Sequence, residues 1–238
     1  MNQTDHTLKA FDEDLDELRA TISQMGGMAE HSIREAMKAL MNRDHELAAS
    51  VVEDDLLLDE LDADCERRAI ELIALRAPMA SDLREVVAVL RISGVVERIG
   101  DYAKNIAKRV PMIDELGRIE ALSLLPEMAR IASEMVREVL DAFVERDAEA
   151  ALRVIERDKA VDDFYDSIFR TLLTFMIENP KTISEATHLM FIAKNIERMG
   201  DHATNVAEMV YFSATGERLW DRPRGANPLN DEYDDRDE

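Results

Sequence analysis

The sequence predicts an all-α protein built as two tandem, pseudo-symmetric three-helix bundles, and three observations predict it. Turn formers are scarce, with eight Gly and six Pro in 238 residues, while Leu, Ala, Met, Glu and Arg dominate, so the elements are long and of helical composition. Apolar residues recur at the helical period: Ile92, Val96, Ile99, Ala103, Ile106 and Val110 form one stripe. The chain also repeats itself. Glu97-Arg98-Ile99-Gly100-Asp101-Tyr102-Ala103-Lys104-Asn105-Ile106-Ala107 returns one hundred positions later as Glu197-Arg198-Met199-Gly200-Asp201-His202-Ala203-Thr204-Asn205-Val206-Ala207.

Upstream segments match at an offset of 103, pairing Arg43-Asp44 with Arg146-Asp147, Glu53 with Glu156, and Asp55 and Asp59 with Asp158 and Asp162. The change of offset falls in the loops around Pro78 and Pro180, where length is cheap to vary. The first helix is expected over about Asp5–Asn42 and the second over about Asp44–Ala74. The third, over about Ser81–Val110, is expected to take Ser81 as its N-cap. Pro111 and Gly117 mark the boundary between copies. Two further helices follow over about Leu122–Asn179, then Pro180 breaks the chain. Ser184 or Thr182 is expected to cap a last helix ending near Ala214-Thr215-Gly216. Residues 1–112 thus form the first repeat and 113–220 the second. The Asp-, Arg-, Asn- and Pro-rich segment 221–238 has little to bury and is expected to be a disordered acidic tail.

The formal net charge of −22 disfavours nucleic acid and anionic lipid as partners, and suits cations and basic protein faces. A single cysteine, Cys65, leaves no intrachain disulfide, consistent with the cytosol, and it lies on an apolar stripe as a small core residue. No signal peptide and no run of about 18 apolar residues is visible, so membrane association is expected only through partners.

The acids of the repeat need explaining. At about 100° per residue, Glu97, Asp101 and Asn105 fall in one line along the helix, roughly opposite the apolar stripe. Asp55 and Asp59 make an i, i+4 pair on the second helix. Asp158 with Asp162, and Glu197 with Asp201 and Asn205, repeat the arrangement. Like charges at this spacing repel by a few tenths of a kcal/mol per pair, roughly. Their doubled register suggests a hard cation such as Mg²⁺, Mn²⁺ or Fe held near the surface. A solvated face is the alternative. Gly100 and Gly200 interrupt helical runs and imply close approach of a helix or ligand. His202 faces no His counterpart, since the first copy has Tyr102, and is expected to be a surface or capping residue. His31 and His45 are expected to face solvent, and Arg98 and Arg198 to steady a carboxylate or carry surface charge. No phosphate loop, Walker motif or Ser/His/Asp constellation is present.

These residues resemble the PhoU family. The doubled Glu97 and Glu197 motifs carry the likeness, together with Phe11-Asp12-Glu13-Asp14-Leu15-Asp16-Glu17-Leu18, Met25-Gly26 and Asp82-Leu83-Arg84, over about residues 8–217. The second copy lacks the Asp-Leu-Arg segment, Tyr102 stands where many members have His, and the acidic tail is an addition. The resemblance implies paired bundles of spectrin-like helices and a non-enzymatic negative regulator of the phosphate-starvation response and phosphate uptake. Such a regulator works between the ATPase PstB of the Pst phosphate transporter and a PhoR-type histidine kinase. It implies metal binding (Fe, Zn, Mn or Mg) at Asp55, Asp59, Glu97 and Asp101, and at Asp158, Asp162, Glu197 and Asp201, with Asn105 and Asn205 matching the motif amide. A homodimer is expected, with Leu83, Val87 and Leu90 available to form it. A metal-dependent helical enzyme using the same acids, and a metal-free structural adaptor, are the competing functions.

Overall fold

The computed structural model describes residues 3–113 and 123–219, and holds six long helices with no strand among them. They are α1 (Gln3–Asn42), α2 (His45–Arg76), α3 (Ser81–Ala107), α4 (Leu125–Glu145), α5 (Ala148–Glu178) and α6 (Ile183–Thr215). Short 3₁₀ turns at Val110–Met112 and Pro180–Thr182 carry the two expected prolines. The expected acidic tail and Gly117 lie outside the described residues. No described helix is long and apolar enough to cross a membrane.

α1, α2 and α3 pack on one another, as do α4, α5 and α6, and the two bundles join where α1 meets α4 and α3 meets α6. α1, α3, α6 and α4 therefore close a central ring, with α2 and α5 as outer ribs. The stripes named above supply the core: Ile92, Val96, Ile99, Ala103 and Ile106 of α3 are fully buried, as are Ile192, Ile196, Met199, Ala203 and Val206 of α6. Each large side chain so buried contributes about 1.5–3 kcal/mol relative to exposure. All six helices feed one continuous cluster, so the repeats share a core rather than meeting as separate bodies. A charged tie reinforces the join: Glu85, 5% exposed, accepts from Arg19 Nε at 2.7 Å and from Arg146 Nε at 3.2 Å.

The duplicated turn reads the same way twice. Asp44 caps α2 by accepting from Leu47 N at 2.9 Å, and Asp147 caps α5 by accepting from Ala150 N at 2.9 Å. The preceding Arg43 and Arg146 both take the left-handed region, at φ 55° and 57°. Gly216 ends α6 at φ 79°, as the sequence suggests. Two expected caps are absent. Ser81 is already inside α3, its hydroxyl bonded to Asp82, while Ala80 holds the cap position with no side-chain bond. Thr182 holds the cap position of α6, but its hydroxyl turns back to the Asn179 carbonyl at 2.8 Å, the 3₁₀ turn at Pro180 having claimed it. α3 also stops at Ala107, short of Val110, because Pro111 forces the 3₁₀ turn.

Candidate functional site

Each repeat sets its acids at the seam between an outer rib and a ring helix. In the first, Asp55 and Asp59 of α2 face Glu97 and Asp101 of α3 closely enough that Asp59 and Asp101 disfavour the charges of Asp55 and Glu97. Burial first, and then Asp101, Asp59, Asp62 and Asp55, push Glu97 up to about 7. Asp62 is a member that spacing alone did not single out. Gly100 makes the seam possible, since a Cβ there would lie 2.3 Å from Leu58 Cδ2 and 3.4 Å from Asp55 Oδ1. The expectation of a surface position fails for Asp55, which is 4% exposed because the missing side chain at Gly100 lets α2 settle onto α3.

A cation already stands in this first cluster. Lys104 Nζ donates to Asp55 and, at 2.9 Å, to Asp101. Both carboxylates hold the lysine charged, pushing its pKa well up, while Asp55 remains raised above the usual carboxylate range because its burial outweighs the lysine.

The second cluster has no lysine at the equivalent position. Thr204 replaces Lys104, and its hydroxyl bonds the Asp201 carbonyl instead. Burial, then Asp162, Asp201 and Glu197, push Asp158 up to about 6. Asp158 lies directly against α6, its Oδ1 2.7 Å from where a Cβ on Gly200 would sit. Lys194 donates to Glu197 Oε1, while Glu197 Oε2 is buried without a hydrogen-bond partner. Arg198 approaches that oxygen only to 3.9 Å, and Asp201 to the same distance, so the arginine is a loose counterion.

Among the described residues, no three His, Cys, Asp or Glu side chains converge as a ready ligand set. The acids are gathered but not tightened. The clusters still differ in what they offer a hard cation: in the first, Lys104 bridges Asp55 and Asp101, while in the second Lys194 bonds one oxygen of Glu197 and leaves the other buried and orphaned. Of the two amides, Asn105 is exposed, and Asn205 lines a cavity between α3 and α6. Eight residues beyond Glu197, Asn205 has rotated by about 80° around the helix, which carries it off the acid seam.

His202 departs from expectation. It is half-buried, stacked on Tyr102 with ring centroids 5.4 Å apart, and the two share a hydrogen bond of 3.0 Å. Burial, then Arg98, holds the imidazole below its usual range. Tyr102 and His202, which occupy corresponding positions of the two copies and differ in kind, thus meet each other directly. His188 is likewise engaged, accepting from Arg109 Nη1 at 3.2 Å. Cys65 is buried as expected, and His31 and His45 are exposed.

Comparison with known proteins agrees with this geometry. The PhoU domain model matches twice, over residues 22–110 and 125–210. A Zymomonas mobilis protein named phosphate-specific transport system accessory protein PhoU homolog is 53% identical over 95% of this chain and 96% of its own length. One from Caulobacter vibrioides with the same name is 46% identical over 91% of this chain and 94% of its own. The crystal structure of PhoU from Pseudomonas aeruginosa superposes with a TM-score of 0.83 at 34% identity, covering 87% of this chain and 100% of that one. The Streptococcus pneumoniae phosphate transport system regulatory protein PhoU gives the same TM-score at 27% identity, over 88% and 99%. With both repeats matched in sequence and in fold, the chain belongs to the PhoU family.

Proposed function

We propose that this chain is a non-catalytic negative regulator of phosphate uptake and of the phosphate-starvation response, an adaptor between a Pst-type transporter and a PhoR-type histidine kinase. The observation that carries this is the near full-length identity, 53% over 95% of the chain, to a protein named as an accessory of the phosphate-specific transport system. An adaptor needs faces for other proteins, and α5 offers one. Phe169, Leu173 and Ile177 recur at four-residue spacing and are 38%, 45% and 73% exposed, a stripe left uncovered by the chain's own bundle. Such a face supports docking to PstB or to the kinase in the cytoplasm, with the membrane reached only through these partners. Homodimerisation belongs to the same proposal; Leu83 and Val87, each 38% exposed, support it, while Leu90 is partly covered.

The metal is the second half of the proposal. Asp158, Asp162, Glu197 and Asp201 would hold a hard cation (Fe, Mn, Mg or Zn), which when bound would neutralise their mutual repulsion. Asp55, Asp59, Glu97 and Asp101 form the equivalent set, to which a metal gains access only by displacing Lys104. The orphaned Glu197 oxygen and the absence of a lysine at position 204 support this order.

Deleting the encoding gene tests the regulatory reading: phosphate-scavenging functions should become constitutive at high phosphate, and normal repression in a clean deletion would refute it. Elemental analysis of untagged protein purified without chelators tests the metal. Stoichiometric metal lost in an Asp158→Asn, Asp201→Asn variant and retained in Asp55→Asn, Asp101→Asn is the expected result. Metal-free wild-type protein that still binds PstB would leave the adaptor standing without its cofactor.

A further inference from the structure

We infer that the arginine-lined cavity between α3 and α6 is a binding site for an organic phosphate of nucleotide size. This goes beyond the regulatory reading and does not depend on it. In a chain with formal net charge −22, the cavity is an electrostatic exception: Arg84, Arg91, Arg98 and Arg218 all line it, with Glu208 as the one acid among the described lining residues. The three α3 arginines recur every seven residues, so they share one face of the helix at intervals of about 10 Å. Burial pushes the Glu208 carboxyl up, which weakens its opposition to an anion.

Among the described residues the three α3 arginines have no ion-pair partner, whereas Arg218 is engaged, lying 5.4 Å from the Phe212 ring centroid. Among the described residues, Arg84 Nε is buried with no hydrogen-bond partner, and the Nδ1 atom of His202 at the cavity wall is orphaned in the same way. Buried polar atoms left so cost roughly 1–3 kcal/mol each unless something satisfies them. Guanidinium forks match phosphoryl oxygens two at a time, which distinguishes them from lysine point charges. The cavity holds about 320 Å³. That is some ten times the roughly 30 Å³ share of one water, so a lone phosphate would leave most of it unfilled. Ala88, Val95, Met209 and Phe212 line the remainder and suit an apolar or aromatic body attached to the phosphoryl group.

The repeat provides an internal comparison. By the hundred-residue correspondence, Arg91 answers to Phe191 and Met209 to Arg109. In that related position the chain fills the space itself: Arg109 lies 4.3 Å over the Phe191 ring and donates to His188. One groove is plugged by the chain's own cation and ring; the other presents its cations to a cavity.

Isothermal titration of the full chain with ADP, adenosine and inorganic phosphate tests the assignment. ADP should bind with a micromolar Kd, and adenosine and inorganic phosphate each at least tenfold more weakly. Arg91→Phe, which copies the plugged groove, and Arg98→Gln should each weaken ADP at least tenfold while the helical signal and melting temperature stay near wild type. Arg153→Gln, removing one exposed charge on α5, should leave the Kd within twofold. No ADP binding at millimolar concentration overturns the proposal. So does binding undiminished in both cavity variants, or inorganic phosphate matching ADP. An acidic peptide that binds the cavity where ADP does not would overturn it in favour of a protein partner.

Discussion

Replacing Lys104 by Met isolates what the lysine does in the first acid cluster. Methionine keeps a similar stem and a similar helix propensity, so the change is chiefly the loss of one charge. The Asp55 side chain is 3% exposed and the Lys104 side chain 20%, whereas Asp101 is 41% exposed. Breaking a buried ion pair by removing one partner costs about 3–5 kcal/mol. Solvent reaches Lys104 and screens Asp101, which brings the expected loss down to about 2–3 kcal/mol. For a chain of this size each kcal/mol moves the melting temperature by about 2–4 °C, giving a fall of about 4–12 °C in chelator at pH 8. Because burial has already raised the Asp55 pKa, the fall should shrink as the pH is lowered and that carboxyl takes up a proton in the variant. Manganese should then reverse it, since a ligand at about 100 times its Kd contributes about 2.7 kcal/mol. The assay is thermal unfolding with and without Mn²⁺, repeated in an Asp158→Asn, Asp201→Asn background to silence the second cluster. A Lys104→Met protein as stable as wild type in chelator would refute the reasoning. Manganese stabilising the Lys104-containing background as much as the Lys104→Met one would refute it equally.

Three other outcomes follow from the same geometry. Glu97 and Asp158 are raised to about 7 and about 6, so each favours the folded state while protonated, an advantage present below their ordinary values of 4.5 and 3.8 and lost as pH rises through 7 and 6. Metal-free protein should therefore melt lower at pH 8 than at pH 5, and a Glu97→Gln, Asp158→Asn variant should show a shallower slope; equal slopes in calorimetric scans would count against it. Gly200→Ala gains about 1 kcal/mol of helix propensity but drives a methyl to 2.7 Å from Asp158 Oδ1, so a net loss of about 1–2 kcal/mol is expected in urea unfolding. Ala77 ends α2 at φ 46°, a left-handed conformation that glycine adopts freely, so Ala77→Gly should raise the melting temperature by about 2–4 °C.

The architecture was legible because duplication and helical period are both properties of sequence alone. The stripe from Ile92 to Ile106 and its copy from Ile192 to Val206 are buried as their spacing requires. Gly100 and Gly200 marked the close approaches before any contact was known. What the residues could not disclose depends on partners far apart in the chain. Lys104 differs from Thr204 visibly, yet only the packing of α2 on α3 shows that it reaches Asp55, 49 residues away. The missing caps at Ser81 and Thr182 were lost to local backbone competition at Ala80 and Pro180. Tyr102 and His202 meet because the duplicated fold brings corresponding positions of α3 and α6 together. A signal for that existed: residues at identical repeat positions on two ring helices are natural candidates to meet.

Duplication would ordinarily make two equal sites, and here it has made two unequal ones. With Lys104 in place the first cluster carries its own counterion, so its folding does not wait on a metal. Carboxylates repel one another in both clusters, but the second lacks a lysine at position 204, and Lys194 reaches only Glu197 Oε1 and leaves Oε2 unpartnered, so the chain's own charges satisfy it less completely. The same division appears between the two grooves of the α3–α6 contact, one filled by Arg109 and Phe191, the other open beneath Arg84, Arg91 and Arg98. In each case the chain's own charges close one copy more fully than the other. Because the two copies share one core, a cation at the second cluster would act by stiffening α5 against α6. Hydrogen exchange along α5 and α6, measured with and without Mn²⁺, should accordingly slow far more than exchange along α2 and α3. Equal protection of both halves would remove the asymmetry from the mechanism.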